Sequence, residues 1–305
     1  MDVAVVICTH QRLALLRQAL ASIARAAPPM RIRPRVLVVA NACTDGTPAA
    51  VEAIARDYPW PLAVIEEPRI GKANALNTAL ARTDAGAVAF VDDDQRVDAG
   101  WLRALERGLL EHDEPLLCGR ILPDWTGAEP AWVHDPSPWA IRPLPVPIQE
   151  WGEATRRIGP EERVPGGGNL VARREAVARI GPFRTDLGPT GHDLGGGEDI
   201  EWVRRGLRMG LALRYLPDLV QWHHVDPARL RLSYLMRKAY LRSRSAQSLH
   251  GCGGKGVPAF LWRKLAGNAW RAAVALHWPH TRHYLVRCAA TLGEIAACRR
   301  AARSG

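Results

Sequence analysis

Short apolar runs alternate with amphipathic stretches over residues 1–100. The runs contain almost no polar positions, which is typical of strands buried on both faces of a parallel sheet. They predict strands at 3–8, 36–40, 63–65 and 88–91. Apolar residues at helical spacing follow each run and predict helices that begin near Leu13, Thr47, Gly71 and Asp98. This alternation predicts a Rossmann-like α/β fold in which helices flank a mostly parallel sheet.

The pattern becomes less regular after Trp101, where proline, glycine and tryptophan interrupt the apolar runs. The elements that it predicts there are, in order, a helix to about Glu111, a strand near 116–118, a long irregular connection over 123–163, a strand after 166–168, a helix over 173–180, a helix after the glycine-rich loop 195–197, two short strands at 211–216 and 219–222, and two or three basic helices with a linker at 251–258. A connection as long as 123–163 is usually functional.

Positive charge is concentrated in the C-terminal part of the chain. The net charge is +10; residues 227–305 hold 15 Lys or Arg and one acid, Glu294, whereas residues 1–226 hold 26 Lys or Arg and 30 acids. We therefore expect a domain over 1–226, with halves 1–95 and 96–226, and a basic helical extension over 227–305. Such an extension can bind anionic lipid, nucleic acid or a phosphorylated acceptor, or it can pack against the first domain.

No apolar run reaches the ~18–20 residues of a membrane span, and the N-terminus lacks a signal-peptide pattern. The six cysteines contain no CxxC pair, which favours free thiols in a reducing compartment over a disulfide framework or a zinc site. The expected location is the cytoplasm, and the basic extension allows a peripheral position on the inner face of the membrane.

Three adjacent carboxylates, Asp92, Asp93 and Asp94, follow the fourth predicted strand. Adjacent acids repel one another, and a hard cation such as Mg²⁺ or Mn²⁺ would compensate them while leaving positions for phosphate oxygens. An acidic turn at the start of the next helix is the alternative. Because strand ends meet at one sheet edge, we expect the turns 9–12, 41–47, 66–72 and 92–94 to form one site.

Six short segments resemble the motifs of family-2 glycosyltransferases in order and spacing. They are Cys8-Thr9-His10-Gln11-Arg12, Asn41-Ala42-Cys43-Thr44-Asp45-Gly46-Thr47, Gly71-Lys72-Ala73-Asn74-Ala75-Leu76-Asn77, Asp92-Asp93-Asp94, Gly197-Glu198-Asp199 and Trp222-His223. The resemblance covers about residues 2–230. It implies the GT-A (nucleotide-diphospho-sugar transferase) fold, with 1–226 as catalytic domain, 1–95 as its nucleotide-binding half and 96–226 as its acceptor half.

The resemblance also implies which residues bind the donor. The expected nucleotide or donor residues are Thr9, Arg12, Asn41, Asp45, Glu67, Arg69, Lys72, Asp92 and Asp93. The acidic triplet resembles the family's DxD element, so Asp94, Asp92 and His223 are the expected ligands of Mg²⁺ or Mn²⁺. Ala40 stands where the family usually has a base-reading aspartate, which leaves the nucleobase open, with a UDP-sugar favoured. For Asp45, a turn aspartate that bonds its own backbone is the alternative.

Glu198 and Asp199 resemble the family's catalytic pair, in which the aspartate is the general base. A sugar hydroxyl needs such a carboxylate to take its proton. First-turn acids at a helix N-terminus are the alternative. The expected acceptor residues are Gly167, Gly168, Asn169 and Trp151, although core packing is the commoner role of a tryptophan.

The resulting hypothesis is an inverting, metal-dependent glycosyltransferase that moves a sugar from a nucleotide-diphosphate donor to an acceptor hydroxyl. Polysaccharide biosynthesis is the expected setting, and the acceptor is a glycan, a lipid-linked glycan or a small molecule. One alternative is a sugar-phosphate nucleotidylyltransferase, although the turn at 9–12 has no glycine. The other is a non-catalytic nucleotide-sugar or polyanion-binding protein. Nucleic acid is not the expected partner.

Overall fold

The computed structural model describes residues 1–187, 197–250 and 256–304, and it confirms the α/β class. Its strands are β1 (Asp2–Thr9), β2 (Arg33–Asn41), β3 (Leu62–Glu67), β4 (Ala87–Phe90), β5 (Gln95–Val97), β6 (Leu116–Asp124), β7 (Arg156–Ile158), β8 (Leu170–Arg173) and β9 (Leu213–His224). Its α-helices are α1 (Leu13–Arg25), α2 (Thr47–Ala55), α3 (Lys72–Ala81), α4 (Trp101–Glu111), α5 (Arg174–Ile180), α6 (Glu198–Arg208), α7 (Leu232–His250), α8 (Ala259–Ala273) and α9 (Trp278–Ser304). Two short 3₁₀ helices lie at Ala131–His134 and Pro227–Leu230.

The nine strands form one sheet with the order β3-β2-β1-β4-β8-β6-β9-β5, and β7 pairs with β9. The first four strands of this order are parallel, as the sequence predicts. β8 then runs antiparallel to both β4 and β6, and β5 runs antiparallel to β9. The sheet is therefore mixed beyond β4, where β6 and β9 form a parallel pair whose connection contains α5 and α6.

The alternation of side chains along β1 explains why helices cover both faces of the sheet. Ala4 and Val6 belong to the core cluster beneath α3, α5 and α6. Val3, Val5 and Ile7 belong to the opposite cluster, beneath α1 and α4. Successive residues of a strand point to opposite faces, so a run with no polar residue must be buried on both sides.

β9 is one strand where the sequence pattern predicts two, so this expectation is wrong. Pro217 and Asp218 interrupt the apolar pattern, but they do not end the strand. Gly119 pairs with Leu216, whereas the next residue of β6, Arg120, pairs with Val220. The extra residues of β9 form a bulge, which lets pairing resume in a shifted register.

The chain divides into two compact units, and the boundary is not a single point in the sequence. The first unit is Met1–Asp124 with Pro147–His224, and the second is Trp125–Val146 with Val225–Gly305. The segment Trp125–Val146, which the sequence analysis assigns to the acceptor half, therefore belongs with the C-terminal helices. Within the second unit, the ring of Trp139 lies 4.3 Å from that of His280.

Among the described helices, none combines the length and the apolarity needed to cross a membrane.

Four cysteines, Cys8, Cys43, Cys118 and Cys288, are free thiols. Cys298 is disulfide-bonded, so the expectation of free thiols is wrong for this residue. A disulfide depends on the approach of two Cβ atoms to about 4 Å, which spacing in the sequence does not reveal.

Candidate active site

The carboxyl ends of β1, β2 and β4 and the start of α3 surround a pocket of about 520 Å³. Its lining comes from the turns 9–12, 70–72 and 92–94, from Asn41, and from His223 near the end of β9. The strand ends meet at one edge of the sheet, as the parallel topology predicts. A pocket of this size suits a small-molecule ligand.

A lysine from the neighbouring turn holds Asp92. Lys72, the first residue of α3, donates from Nζ to Asp92 Oδ1 over 2.6 Å, and Gln95 Nε2 donates to Asp92 Oδ2 over 3.4 Å. Burial raises the pKa of Asp92, but Lys72, together with His223 and Arg12, holds that pKa below its ordinary value. Burial lowers the pKa of Lys72, and the carboxylates of Asp92 and Asp199 outweigh it, so this pKa is raised. Lys72 and Asp92 therefore form a persistent ion pair.

Asp93 is buried and bonds two residues of the first turn. Thr9 Oγ1 donates to Asp93 Oδ2 over 2.8 Å, and Arg12 Nη1 donates to Asp93 Oδ1 over 3.1 Å. Burial and the adjacent Asp94 carboxylate raise the pKa of Asp93 to about 6 against the opposing effect of Arg12. Because the Arg12 side chain is 45% exposed, Asp93 anchors a cation that faces the pocket.

Asp94 and His223 face each other through the pairing of β5 with β9. Gln95 pairs with His223 in this ladder, and the His224 amide donates to the Asp94 carbonyl. The Asp94 Oδ1 and His223 Nε2 atoms are 3.4 Å apart. Arg12 Nη1 also donates to Asp94 Oδ2, over 3.2 Å.

The donor atoms of this pair fit a divalent cation. His223 Nδ1 lies 2.7 Å from the His224 carbonyl, which can only accept, so Nδ1 carries a proton. Nε2 is then free to offer a lone pair, the tautomer that metal-binding histidines adopt. Adjacent ligands of an octahedral Mg²⁺ or Mn²⁺ lie ~3 Å apart, close to the observed separation. If Nε2 carried a proton, the contact between Asp94 and His223 would be an ion pair. The described residues contain no group of three metal-binding side chains.

Asp199 lies at the N-terminus of α6 against the glycine segment 166–168. The Gly167 amide donates to Asp199 Oδ2 over 2.5 Å, and the Ile200 amide donates to Oδ1 over 2.7 Å. A Cβ atom on Gly167 would lie 3.1 Å from Asp199 Oδ2, and one on Gly168 would lie 2.9 Å from Asp92 Oδ2. The absence of side chains at these glycines lets both carboxylates approach the same backbone.

Glu198 is 2% exposed, and its Oε2 atom has no hydrogen-bond partner among the described residues. Burial and the adjacent Asp199 raise the pKa of Glu198, and Lys72 only partly opposes them. Two carboxylates with different environments therefore stand side by side at the start of α6. The more exposed of the two, Asp199, is the better placed to take a proton from a ligand.

Three of the predicted donor residues bond to their own surroundings. Asp45 accepts from the amides of Leu13 and Thr47, so it caps α1 and α2, as the turn alternative predicts. Glu67 is 4% exposed and bonds Arg69, which lowers the pKa of Glu67 to about 2. Neither Asp45, Glu67 nor Arg69 lines the pocket.

Asn41 lines the pocket, but its amide organises the turn before α3. Its Nδ2 atom donates to the carbonyls of Glu67 and Arg69, and its Oδ1 atom accepts from the Gly71 amide. This turn places Lys72 beside Asp92. The structure therefore gives Asn41 a positioning role.

Asn169 is buried, so the expectation that it contacts the acceptor is wrong. Asn169 has no exposed surface, and its side chain bonds four partners on α4, β6 and β9 and in the bulge of β9. These partners are the Trp101 indole, the Arg120 and Leu219 carbonyls, and the Gln221 amide. A side chain enclosed in this way cannot touch an acceptor, and its function is to join the strands.

Trp151 is half-buried on the first unit. Its ring lies 5.3 Å from that of Tyr215, and the Arg163 guanidinium lies 5.6 Å from its centroid. It packs against the core cluster beneath α3, α5 and α6. The contact supports the packing role that is usual for tryptophan.

The pocket also uses residues that the sequence did not single out. His10 lines it and bonds the Asn41 carbonyl through Nδ1 over 2.6 Å. Gln95 is 2% exposed, contacts Asp92, and leaves its Oε1 atom without a partner. The position of Gln95 directly after the acidic triplet was a signal for its role. The glycines Gly195 and Gly196 of the predicted loop lie outside the described residues.

Comparison with known proteins agrees with this architecture. A family model described as Glycosyl transferase family 2 matches residues 4–181, more than half of the chain. The succinoglycan biosynthesis protein ExoM of Rhizobium meliloti (strain 1021) is 25% identical over 272 residues, which cover 88% of this chain and 79% of that protein.

Two solved structures share the fold. One is S. aureus TarS 1–349 in complex with UDP, with a TM-score of 0.57 and 16% identity over 100% of this chain and 92% of that one. The other is the mannosyltransferase PcManGT of Pyrobaculum calidifontis in complex with GDP-Man and Mn²⁺, with a TM-score of 0.56 and 23% identity over 95% of this chain and 86% of that one. At these identities the likeness concerns the fold alone.

These findings select among the functions that the sequence left open. A nucleotidylyltransferase and a non-catalytic binding protein were both compatible with a Rossmann-like sheet and an acidic strand end. The family match extends from β1 through the acidic triplet to the end of α5, and therefore includes most of the pocket. This chain belongs to glycosyl transferase family 2 and is a glycosyltransferase with the GT-A fold.

Proposed function

We propose that this enzyme transfers a sugar from a nucleotide-diphosphate donor to an acceptor hydroxyl with inversion, and that Asp199 is the general base. The observation that carries this proposal is the position of Asp199. Its carboxylate is held by the Gly167 amide, and its charge acts on Lys72, which pairs with Asp92 in the donor pocket. The glycine segment 166–168 therefore lies against both the proposed base, Asp199, and Asp92 of the donor pocket.

The donor lies in the pocket at the carboxyl ends of β1, β2 and β4. Arg12 is the exposed cation there, and its planar donor fork suits a diphosphate. A UDP-sugar is the favoured donor, in line with the UDP and UDP-GlcNAc complexes of TarS, whereas the GDP-Man complex of PcManGT supports the same class with another base. Because Ala40 replaces the usual base-reading aspartate, the nucleobase of the donor has to be identified by experiment.

Asp94 and His223 would hold Mg²⁺ or Mn²⁺. Asp92, which forms an ion pair with Lys72, is the third expected ligand. When bound, the cation neutralises negative charge that develops on the leaving diphosphate. Arg12 contacts Asp94 in the described structure and is long enough to turn toward the diphosphate instead. The Mn²⁺ complex of PcManGT supports this cofactor.

In the transfer step, Asp199 accepts the proton of the acceptor hydroxyl, and that oxygen forms a bond to the anomeric carbon. The bond from the anomeric carbon to the diphosphate oxygen breaks on the opposite face, so configuration inverts. Lys72, whose pKa the carboxylates of Asp92 and Asp199 raise, stays a cation between the donor pocket and Asp199. Glu198, buried with a raised pKa, supports the site without competing for the hydroxyl.

The acceptor belongs to the classes of glycan, lipid-linked glycan or small molecule. The similarity to a succinoglycan biosynthesis protein supports a role in polysaccharide assembly. A cytoplasmic enzyme that meets a lipid-linked acceptor needs contact with the membrane surface, and the basic C-terminal helices are the part of the chain suited to it. Because Gly167 faces Asp199 and Gly168 faces Asp92, these two glycines would lie between the donor and the acceptor.

The test compares Asp199→Asn with Glu201→Gln, which removes a charge from the same helix turn outside the pocket. Calorimetric titration with UDP, GDP, TDP and CDP, with and without Mn²⁺, identifies the nucleotide. Release of that nucleotide from its sugar donors is then measured with a panel of acceptors. We expect Asp199→Asn to lose at least about 10²-fold in turnover, with nucleotide affinity nearly unchanged. Turnover by Asp199→Asn at the level of Glu201→Gln would remove Asp199 from the role of base.

A further inference from the structure

The second unit presents large apolar side chains to solvent along one helix. On α8, the positions Trp262, Ala266, Ala269, Trp270 and Ala273 are exposed and recur at the spacing of one helical face. We call these five residues the α8 stripe. Trp270 is 69% exposed, a costly arrangement for an indole unless another surface covers it.

The stripe is not the face that holds α8 in the unit. Leu261, on a neighbouring face of the helix, packs with Ile295 and Cys298 of α9. The packing of α8 is thus satisfied on one face, while two tryptophans remain on the other. An amphipathic helix normally buries its one apolar face, so a second apolar face indicates a second partner.

The turn after α8 extends the same apolar surface. Val274, Leu276 and Trp278 follow the helix, and Leu276 is 92% exposed. These three residues are called the α8–α9 turn below. Scattered apolar residues are normal on a surface, but here they continue directly from the end of a helix that carries the stripe.

Cations adjoin this surface. Arg263 is exposed on α8 beside the stripe, and the Arg299 guanidinium lies 5.2 Å from the Trp262 ring. The one acid between residues 227 and 305, Glu294, is occupied by Lys264 over 2.8 Å. The partner that complements the surface therefore offers negative charge next to hydrocarbon.

We infer that the α8 stripe and the α8–α9 turn dock the enzyme on an anionic lipid bilayer, with the aromatic side chains in the headgroup region and the arginines on lipid phosphates. Tryptophan prefers that region, and basic residues beside a membrane gain from anionic lipid. Nucleic acid would use the cations and could stack on tryptophan, but it offers nothing to Val274 and Leu276. A second copy of the chain would bring two strongly basic faces together.

This inference gives the membrane contact in the proposed function a specific surface, and its test is independent of the sugar chemistry. The full chain is mixed with vesicles of phosphatidylcholine alone, or of phosphatidylcholine with phosphatidylglycerol, and the bound fraction is measured by flotation at low and high salt. We expect binding to the anionic vesicles that weakens as salt rises.

Two double variants separate the apolar and charged contributions. Trp270→Ala with Leu276→Ala should lower the partition coefficient by about tenfold per side chain, because each loses burial of a large apolar group. Arg263→Gln with Arg299→Gln should lower it about fivefold per charge. Met30→Ala, at a residue of the first unit that is 88% exposed, is the matched control and should bind as the parent does.

Nucleotide affinity of every variant is measured in parallel, so that loss of lipid binding is distinguished from loss of the donor site. Absence of binding to anionic vesicles would overturn the inference. Vesicle binding that the apolar double variant leaves unchanged would also overturn it. A third contrary outcome is a protein that does not bind vesicles but forms a dimer in sedimentation velocity, if the apolar double variant abolishes that dimer. If the protein binds vesicles but no nucleotide, the proposed function is refuted, whereas the inference of a lipid-binding surface is retained.

Discussion

Replacement of Asn169 by alanine should destabilise the first unit strongly without acting through the acceptor. The side chain has no exposed surface and makes four hydrogen bonds of 2.7–3.0 Å, two as donor and two as acceptor. Alanine removes this partner from the Trp101 indole and from the Arg120 and Leu219 carbonyls, whereas the Gln221 amide keeps its bond to the Phe90 carbonyl. Its backbone also has φ of 56°, which asparagine tolerates better than alanine.

The magnitude follows from these contacts. A buried polar group left unpaired costs at least about 1 kcal/mol, so the indole and the two carbonyls together cost about 3 kcal/mol. The left-handed backbone adds about 1 kcal/mol for alanine. A loss of about 4 kcal/mol is a large share of the stability of a typical domain, roughly 5–15 kcal/mol.

Urea unfolding followed by near-ultraviolet circular dichroism measures this loss. With a slope of about 3 kcal/mol per M, the midpoint should fall by roughly 1–2 M. Asn169→Gly removes the same hydrogen bonds but accepts the backbone angle, so it should be about 1 kcal/mol less destabilised than Asn169→Ala. Asn74→Ala, which loses one exposed bond to the Ile70 carbonyl, is the control and should change stability little.

A fall of less than about 1 kcal/mol in Asn169→Ala would refute this reasoning. A folded variant of parental stability with a raised KM for the acceptor alone would instead restore the acceptor role expected from the sequence. The two outcomes are separable because stability is measured without substrate.

Gly119→Ala should prevent stable folding of the first unit, because a Cβ there would overlap the Leu219 carbonyl oxygen; a parental urea midpoint would contradict this. Gly168→Ala should weaken nucleotide binding by about tenfold or more while the protein stays folded, because its Cβ would stand 2.5 Å from Gln95 Nε2 and 2.9 Å from Asp92 Oδ2 and would displace both side chains; calorimetry checks this. Glu114, whose pKa is lowered to about 2 by two arginines, should contribute about 1 kcal/mol of stability above pH ~5 that is lost as pH falls toward 2. The stability difference between the parent and Glu114→Gln should shrink over that range, and a difference that is constant with pH would contradict the assignment.

The acidic triplet and its neighbouring turns illustrate what could be predicted from the sequence. The apolar runs of β1 and β4 record burial on both faces within a few consecutive residues, so their position and class follow from local pattern. Parallel strands then bring their ends to one edge, which is why the turns 9–12 and 92–94 were expected to meet. Asp92, Asp93 and Asp94 were visible because they are contiguous.

The partners of those carboxylates were not determined locally. Lys72 reaches Asp92 from the next turn of the sheet, and Gly167 reaches Asp199 from 32 residues away. Asn169 was expected at the acceptor, and only its place between β4, β6 and β9 shows that it is enclosed. Such contacts depend on strand register, and periodicity does not encode register across a sheet.

The C-terminal helices show the same division. Their existence and positive charge are properties of the sequence alone, since helical spacing and arginine content are local. Which face of α8 packs against α9, and which leaves Trp262 and Trp270 in solvent, is decided by the position of Leu261 in the folded unit. The sequence determined the elements, the charge and the order of the motifs. The tertiary structure alone decided which side chains meet, because hydrogen bonds and packing contacts join residues that are distant along the chain.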